Sequence, residues 1–244
     1  MSTELFAEKI HKIIDEITDT QKENILKAAS LMAKAVKNDG IIFTFGTGHS
    51  HTIAEEIMYR AGTLVPVYAI LEQGVTGDRE VTKSEYTEKL DGYAKLILDY
   101  HKVTANDVLI IISNSGRNSV PVQMALEAKK RSIPVIGITC VSYSRSQPSL
   151  DKSGKRLFEI ADVVIDNCGV PGDAIIKLDG LEQPVAPTSN LAANFIVHSL
   201  TMETVIKLLG EGITPPVFWS GNLDGARKKN DVFLEKYWNR IRVW

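Results

Sequence analysis

The sequence predicts an α/β fold: a five-stranded parallel sheet of flavodoxin-like order, 2-1-3-4-5, built as a three-layer sandwich with an N-terminal helical arm. Three observations predict it. Short aliphatic runs alternate with helical patterns along the chain, and strands alternating with helices make a parallel sheet covered on both faces. Two of the runs end in loops rich in Gly, Ser and Asn, each followed at once by a helical pattern. The 244 residues, 44% hydrophobic and 24% charged, suit one generous α/β domain with a packed core.

Residues 3–37 read as one or two amphipathic helices. Phe6, Ile10, Ile13, Ile14 and Ile17 form one stripe, and Ile25, Ala28, Ala29, Met32, Ala35 and Val36 continue it. Asn38-Asp39-Gly40 stops the helix. The first strand is 41–45, then the loop Gly46-Thr47-Gly48-His49-Ser50 and a helix over 51–61. A second strand covers 65–71. Residues 72–86 are polar and read as a long irregular connection, a kind that is often functional. A helix over 89–101, a strand at 108–112, a helix over 120–131 and a strand at 134–139 follow. The Ser- and Lys-rich loop 140–155 leads through 157–161 to a fifth strand at 163–165. Residues 166–187 hold many Gly, Pro and Asp and read as loop with short strand pieces. A strongly apolar helix spans 189–209. The tail, 213–244, is aromatic and charged, with Trp219, Tyr237, Trp238 and Trp244. It reads as a packing arm, or as a segment closing Asn222 and Asp224 over a site. The organisation expected is an arm at 1–37, a core domain at 38–212 and a packing tail at 213–244.

In a 2-1-3-4-5 sheet the switch point lies between strands 1 and 3, and ligands bind there beyond the carboxyl ends of the strands. The two unusual loops are the two that meet there. In the first, Gly46 and Gly48 let the backbone turn tightly and approach a ligand. Ser50 or His51 caps a helix whose N-terminus favours an anion. In the second, Ser113, Asn114, Ser115, Asn118 and Ser119 supply side-chain donors just before the next helix. Helix capping alone also places such residues at strand-to-helix turns. Two such loops converging on one spot suit a phosphomonoester. A dinucleotide is the rival. Glu72 ends the second strand where a ribose-binding acid would sit, but His51 stands where the fingerprint needs its third glycine, so no cofactor is expected.

The stretches "FGTGHSHTIAEEI" and "IIISNSGRNSVPVQMALEAKKRSIPVIGIT" resemble the sugar isomerase (SIS) domain family, over roughly residues 38–210. The whole chain is similar to a bacterial group of uncharacterised SIS-domain proteins classed with the phosphosugar isomerases, and phosphoheptose isomerase is the enzyme nearest in layout. The resemblance implies phosphosugar binding, with the phosphate held by Ser50 of the first loop and by Ser113, Asn114, Ser115 and Asn118 of the second. Gly48, His49 and Ser119 complete the expected binding loops. Asn118 is a departure, because the family usually carries Ser or Thr there; it still donates, or Ser119 substitutes. Arg117 is an added cation beside the site. It strengthens phosphate binding, meets a substrate carboxylate, or is a solvated surface arginine.

Aldose–ketose isomerisation moves a proton between C1 and C2 through an enediol, and needs a base at carbon and an acid at oxygen. Glu55 and Glu56 point about 100° apart on their helix, so only one easily faces the site. "AEEIMYR" resembles the phosphoheptose isomerase helix whose second acid is catalytic, which implies Glu56; an ion pair with Arg60 at i+4 is the plain alternative. On the helix "PTSNLAANFIVHSLTMETVIKLL", Asn190, Asn194 and His198 recur every four residues as one polar stripe. The enzyme has a Gln and a His eight residues apart on this helix, which implies a catalytic His198 and a binding Asn190. A dimer-interface stripe and a satisfied core histidine are the alternatives. Thr188 and Ser189 precede the helix as a third donor set. The enzyme's metal site uses a His in its first helix; Thr52 occupies that turn here, so no metal is expected. Glu72, Glu80, Glu85 and Glu88 of the polar connection offer a second carboxylate, which an etherase would need.

The expected function is therefore aldose–ketose isomerisation of a sugar phosphate through an enediol. The alternatives are a lyase of the N-acetylmuramate 6-phosphate etherase type and a non-catalytic sugar-phosphate sensor. The expected partners are a small-molecule sugar phosphate and further copies of the chain, as a homodimer or homotetramer. A net charge of −2 gives no nucleic-acid footprint. No run approaches a membrane span, and the N-terminus has no signal-peptide core. Cys140 and Cys168 form no C-x-x-C, so a reducing cytoplasm is the simplest location.

Overall fold

The computed structural model describes residues 2–241, so Trp244 lies outside the described residues. Two helices open the chain, α1 (Ser2–Thr20) and α2 (Lys22–Lys37). They are separated at Gln21, and α2 ends where Asp39 turns left-handed (φ 53) and Gly40 N–H bonds Ala35 O at 2.8 Å. The sheet is β1 (Ile42–Gly46), β2 (Val67–Ile70), β3 (Val108–Ile112), β4 (Val135–Thr139) and β5 (Val163–Asp166). All four pairings are parallel and the order is β2-β1-β3-β4-β5, as the sequence predicts.

The aliphatic runs form central strands because both faces are covered. Val108, Ile110 and Ile112 of β3 enter one core with α1, α2, α3 (Ser50–Glu56) and α9 (Ser189–Gly210). Leu109 and Ile111 enter the other, beneath α6 (Tyr93–His101), α7 (Ser119–Lys130) and α10 (Ala226–Tyr237). Side chains alternate across a strand, so a nearly unbroken apolar run is what satisfies both layers. Each such side chain contributes roughly 1.5–3 kcal/mol when buried, which makes the run decisive.

Several expected boundaries move. The helix after the first loop is shorter than 51–61 and ends at Glu56, and the one expected over 89–101 begins at Tyr93 behind a left-handed Gly92. The connection 72–86 is largely helical: α4 (Gln73–Thr76) and α5 (Val81–Thr87) fold against one another about a left-handed Gly77. Within 140–155 lies α8 (Val141–Ser146), and 166–187 contains an antiparallel hairpin, β6 (Ala174–Ile176) with β7 (Val185–Pro187).

The tail is anchored at the starting ends of the strands. Leu64 bridges Val217, and Tyr237 and Ile241 enter the second core. Arg240 grips both oxygens of the buried Asp107 at 2.8 and 3.0 Å, beside the start of β3. That end is opposite the loops after β1 and β3, which supports the packing role; Asn222 and Asp224 are exposed in the turn before α10. Among the described residues no helix is long and apolar enough to cross a membrane.

Candidate functional site

The loop after β3 is built to receive an anion. Gly116 has φ 59, and a Cβ there would lie 2.8 Å from Thr139 Oγ1 and 2.9 Å from Ser144 Oγ, so only glycine fits the turn. Ser113 Oγ accepts the Gly116 N–H at 3.2 Å, which closes the turn from within. Asn114 O accepts Cys140 N–H at 3.0 Å and Asn114 Oδ1 accepts Asn167 Nδ2 at 2.9 Å, so this residue positions the loop on its neighbours. Among the described residues, no acceptor meets the N–H of Ser115, Arg117, Asn118 or Ser119. The side chains of Ser115 and Asn118 are half-buried and bond no described residue. Consecutive free amides around a left-handed glycine form an anion-binding concavity. Ser119 is turned aside: its hydroxyl donates to Leu150 O at 3.1 Å.

The loop after β1 is different, because three of its amides are already used. Gly48 N–H bonds Val75 O at 2.8 Å, Ser50 N–H bonds Thr47 O at 3.1 Å and His51 N–H bonds Gly48 O at 3.1 Å. Gly46 is packed so closely that a Cβ would lie 2.5 Å from Ser50 O. What it leaves for a ligand is the Ser50 hydroxyl and the exposed His49. The insert 72–88 braces both loops: Thr47 Oγ1 donates to Glu88 Oε2 at 2.8 Å, and Glu88 O accepts Val120 N–H at 2.9 Å. Of the acids in this connection, Glu88 is the one that reaches the loops, whereas Glu72 Oε1 accepts the Tyr93 hydroxyl at 2.6 Å. Burial and that carboxylate push the Tyr93 phenol up to about 12.

Helices α3 and α9 pack face to face beside these loops. His198 Nε2 lies 3.0 Å from Glu56 Oε1, and Arg60 reaches the same oxygen at 3.0 Å. Glu55 points elsewhere, into a cavity of about 380 Å³ at the β2 edge with Met58, Tyr59, Tyr68, Leu71 and His101. Asn190 Nδ2 donates to Thr52 Oγ1 at 2.9 Å and to His49 O at 3.4 Å, tying α9 to the first loop. Asn194 lies between Asn190 and His198 in the stripe, and its buried Oδ1 has no partner.

Thr188 and Ser189 are already engaged. Asp173, held at φ 71, accepts the N–H of Thr188 at 2.9 Å and the N–H and hydroxyl of Ser189, each at 2.7 Å. A carboxylate from the loop before β6 thus caps a 22-residue helix. Asp173 and Asn167 escape the sequence reading; the only signal is an acid or amide beside glycine in a turn-forming stretch. The cysteines offer no thiolate at neutral pH: burial, with Asp166 adding to it, pushes Cys168 up to about 12, and burial likewise raises Cys140.

The family model described as "SIS domain" matches residues 5–140. A "UPF0309 protein" of Geobacillus thermodenitrificans is 41% identical over 238 residues, which is 98% of this chain and 96% of the relative. One of Halalkalibacterium halodurans is 42% identical over 234 residues, 96% and 93% of the two chains. The chain belongs to the SIS-domain family. Solved structures agree on the fold. A phosphoheptose isomerase from Francisella tularensis matches with TM-score 0.54 at 16% identity, over 83% of this chain and 96% of that one. The Vibrio vulnificus NanR protein complexed with ManNAc-6P matches with TM-score 0.53 at 11% identity, over 96% and 69%. The SIS match starts within α1 and stops at the end of β4, so α9 and His198 lie beyond it, in the stretch that the full-length relatives also cover.

Proposed function

We propose that this SIS-domain protein is a phosphosugar isomerase. The observation that carries the reading is the pairing of a donor loop with a carboxylate–imidazole pair: four amides in the loop after β3 that bond no described residue, and Glu56 3.0 Å from His198 on adjoining helices. The phosphate sits on the amides of Ser115, Arg117, Asn118 and Ser119, with the Ser115 hydroxyl and the Asn118 amide. Ser50, His49 and Asn190 face the sugar. The reacting carbons enter between Glu56 and His198 and replace their mutual hydrogen bond. Glu56 takes the proton from C2 of the aldose and His198 supplies one to the carbonyl oxygen at C1; Glu56 then returns its proton to C1 while His198 takes one from the C2 hydroxyl, which becomes the ketone. Arg60 holds the Glu56 carboxylate in place.

The working unit is a homodimer or an assembly of such dimers. On α9 the stripe Leu191, His198, Met202, Ile206 and Leu209 stands exposed, the four apolar members at 45–58%. Leu26 of α2 continues it, at 43% exposure. An apolar helix face of this length calls for a partner, and a second copy brings the same face.

Deuterium exchange tests the reaction. Pentose, hexose, heptose and amino-sugar phosphates are incubated with the protein in deuterated water and followed by NMR; an isomerase incorporates deuterium at C2. Lactate released from a muramate ether phosphate, without exchange, would make it a lyase. Thermal stabilisation by a sugar phosphate without turnover would make it a sensor. Helices α1 and α2 speak against a DNA-reading arm, since both enter the first core and cover the sheet.

A further inference from the structure

Arg117 carries the only charge in the loop Ser113-Asn114-Ser115-Gly116-Arg117-Asn118-Ser119, and the fold leaves that charge unanswered. The residue is half-buried. Its Nε is shut off from solvent and has no hydrogen-bond partner among the described residues. A terminal nitrogen donates to the neutral Gln147 amide oxygen at 3.3 Å. Among the described residues no carboxylate lies within ion-pair distance of it. Arg131 and Arg156 are also well covered, with side chains 24% and 22% exposed, yet both are paired, to Asp99 at 2.8 Å and to Glu159 at 3.0 Å.

A guanidinium partly removed from water costs free energy unless an anion meets it. Backbone movement does not relieve this cost. Gly116 is wedged against Thr139 and Ser144, and Arg117 O accepts the Leu150 N–H at 2.9 Å. The uncompensated cation therefore stays in the same loop as four unbonded amides. A fork-shaped donor of that kind fits two oxygens of a phosphate or carboxylate.

We infer that Arg117 determines the specificity of this subsite for a dianionic phosphate monoester: the guanidinium exchanges Gln147 for two phosphate oxygens when the ester binds. The inference rests on the phosphate reading of the loop proposed above. Serine hydroxyls, the Asn118 amide and backbone amides are neutral, so they gain less from a second negative charge than a guanidinium does. The arginine makes the second negative charge count.

Binding of inorganic phosphate and of fructose 6-phosphate is measured by calorimetry on the intact protein, for wild type, Arg117→Gln, Arg117→Lys and Ser115→Ala, from pH 5 to 7.5. Wild-type affinity for fructose 6-phosphate rises as the monoester loses its second proton near pH 6, and that for inorganic phosphate rises at higher pH. Arg117→Gln weakens binding roughly 10- to 100-fold at pH 7.5 and flattens that rise. Arg117→Lys keeps the rise with intermediate affinity. The ligand-free Arg117→Gln protein melts no lower than wild type, because a cation without a counter-ion is removed. Arg117→Gln affinity within twofold of wild type, with the pH rise intact while Ser115→Ala weakens, overturns the role of Arg117 and leaves the loop as the phosphate site. No phosphate binding by wild type, or no effect of either substitution, overturns the phosphate reading itself and the inference with it.

Discussion

A single oxygen of Glu56 serves both His198 and Arg60, each at 3.0 Å. The expectation of a partner for Arg60 is thus met, and the same oxygen is the one the proposed reaction uses as base. Glu56→Gln keeps the shape of the side chain but cannot take a proton. It should lower turnover about 10²- to 10⁴-fold while the thermal shift given by sugar phosphate persists. His198→Ala should do the same, and turnover retained in both variants would remove the pair from the mechanism. That only one of Glu55 and Glu56 meets α9 was legible because neighbouring helical residues diverge by about 100°, and the resemblance to the phosphoheptose isomerase helix pointed to Glu56; His198 stood out in a polar stripe on an apolar helix, at the spacing the same resemblance implies. Asn167 was not legible. It is 2% exposed and holds Asn114 from across the sheet, a contact 53 residues away in sequence that no local pattern encodes.

At the scale of the element, two loops with similar composition behave differently. The loop after β1 closes on itself and on Val75, so its helix begins with satisfied amides. The loop after β3 keeps its amides open because Gly116 turns left-handed against Thr139. Composition reports the capacity to bond; the hydrogen bonds formed decide which capacity survives. Helix α9 teaches the same lesson, since Thr188 and Ser189 looked like ligand donors and instead meet Asp173. Asp173→Ala removes the cap and should destabilise the protein by about 1–2 kcal/mol in urea unfolding. An unchanged unfolding midpoint would show that these donors have another acceptor in solution.

Across the whole molecule, the two faces of the sheet are covered unequally. The face under α6 and α7 is sealed by α10 and the tail, pinned by Arg240 on Asp107 and by Lys236 on Asp39 at 2.7 Å. The other face is covered by α2 and α9, and α9 then turns its own apolar stripe outward. Ile206→Glu places a charge in that stripe, where a dimer would bury it unpaired. Light scattering should show wild type at twice the chain mass or a multiple of it, and Ile206→Glu shifted toward the monomer. A monomeric wild type would overturn the assembly. Because His198 lies in the same stripe, the variant should also lose turnover.

The aliphatic runs, their spacing and the glycines determined the five parallel strands and the 2-1-3-4-5 order by themselves. A strand buried on both faces is nearly all apolar, its rare polar member needing a partner as Thr44 finds in Ala54 O, and a five-unit chain has few economical orders. Sequence also placed the two loops at the switch point and Glu56 and His198 on the helices that meet beside it. Only the tertiary structure decided which donors remain free. It gave Thr188 and Ser189 to Asp173, Ser119 to Leu150 and Thr47 to Glu88, and it left Arg117 without a counter-ion. Those outcomes depend on partners from 15 to 41 residues away, brought near by packing and then selected by distance and angle, which residue type alone does not specify.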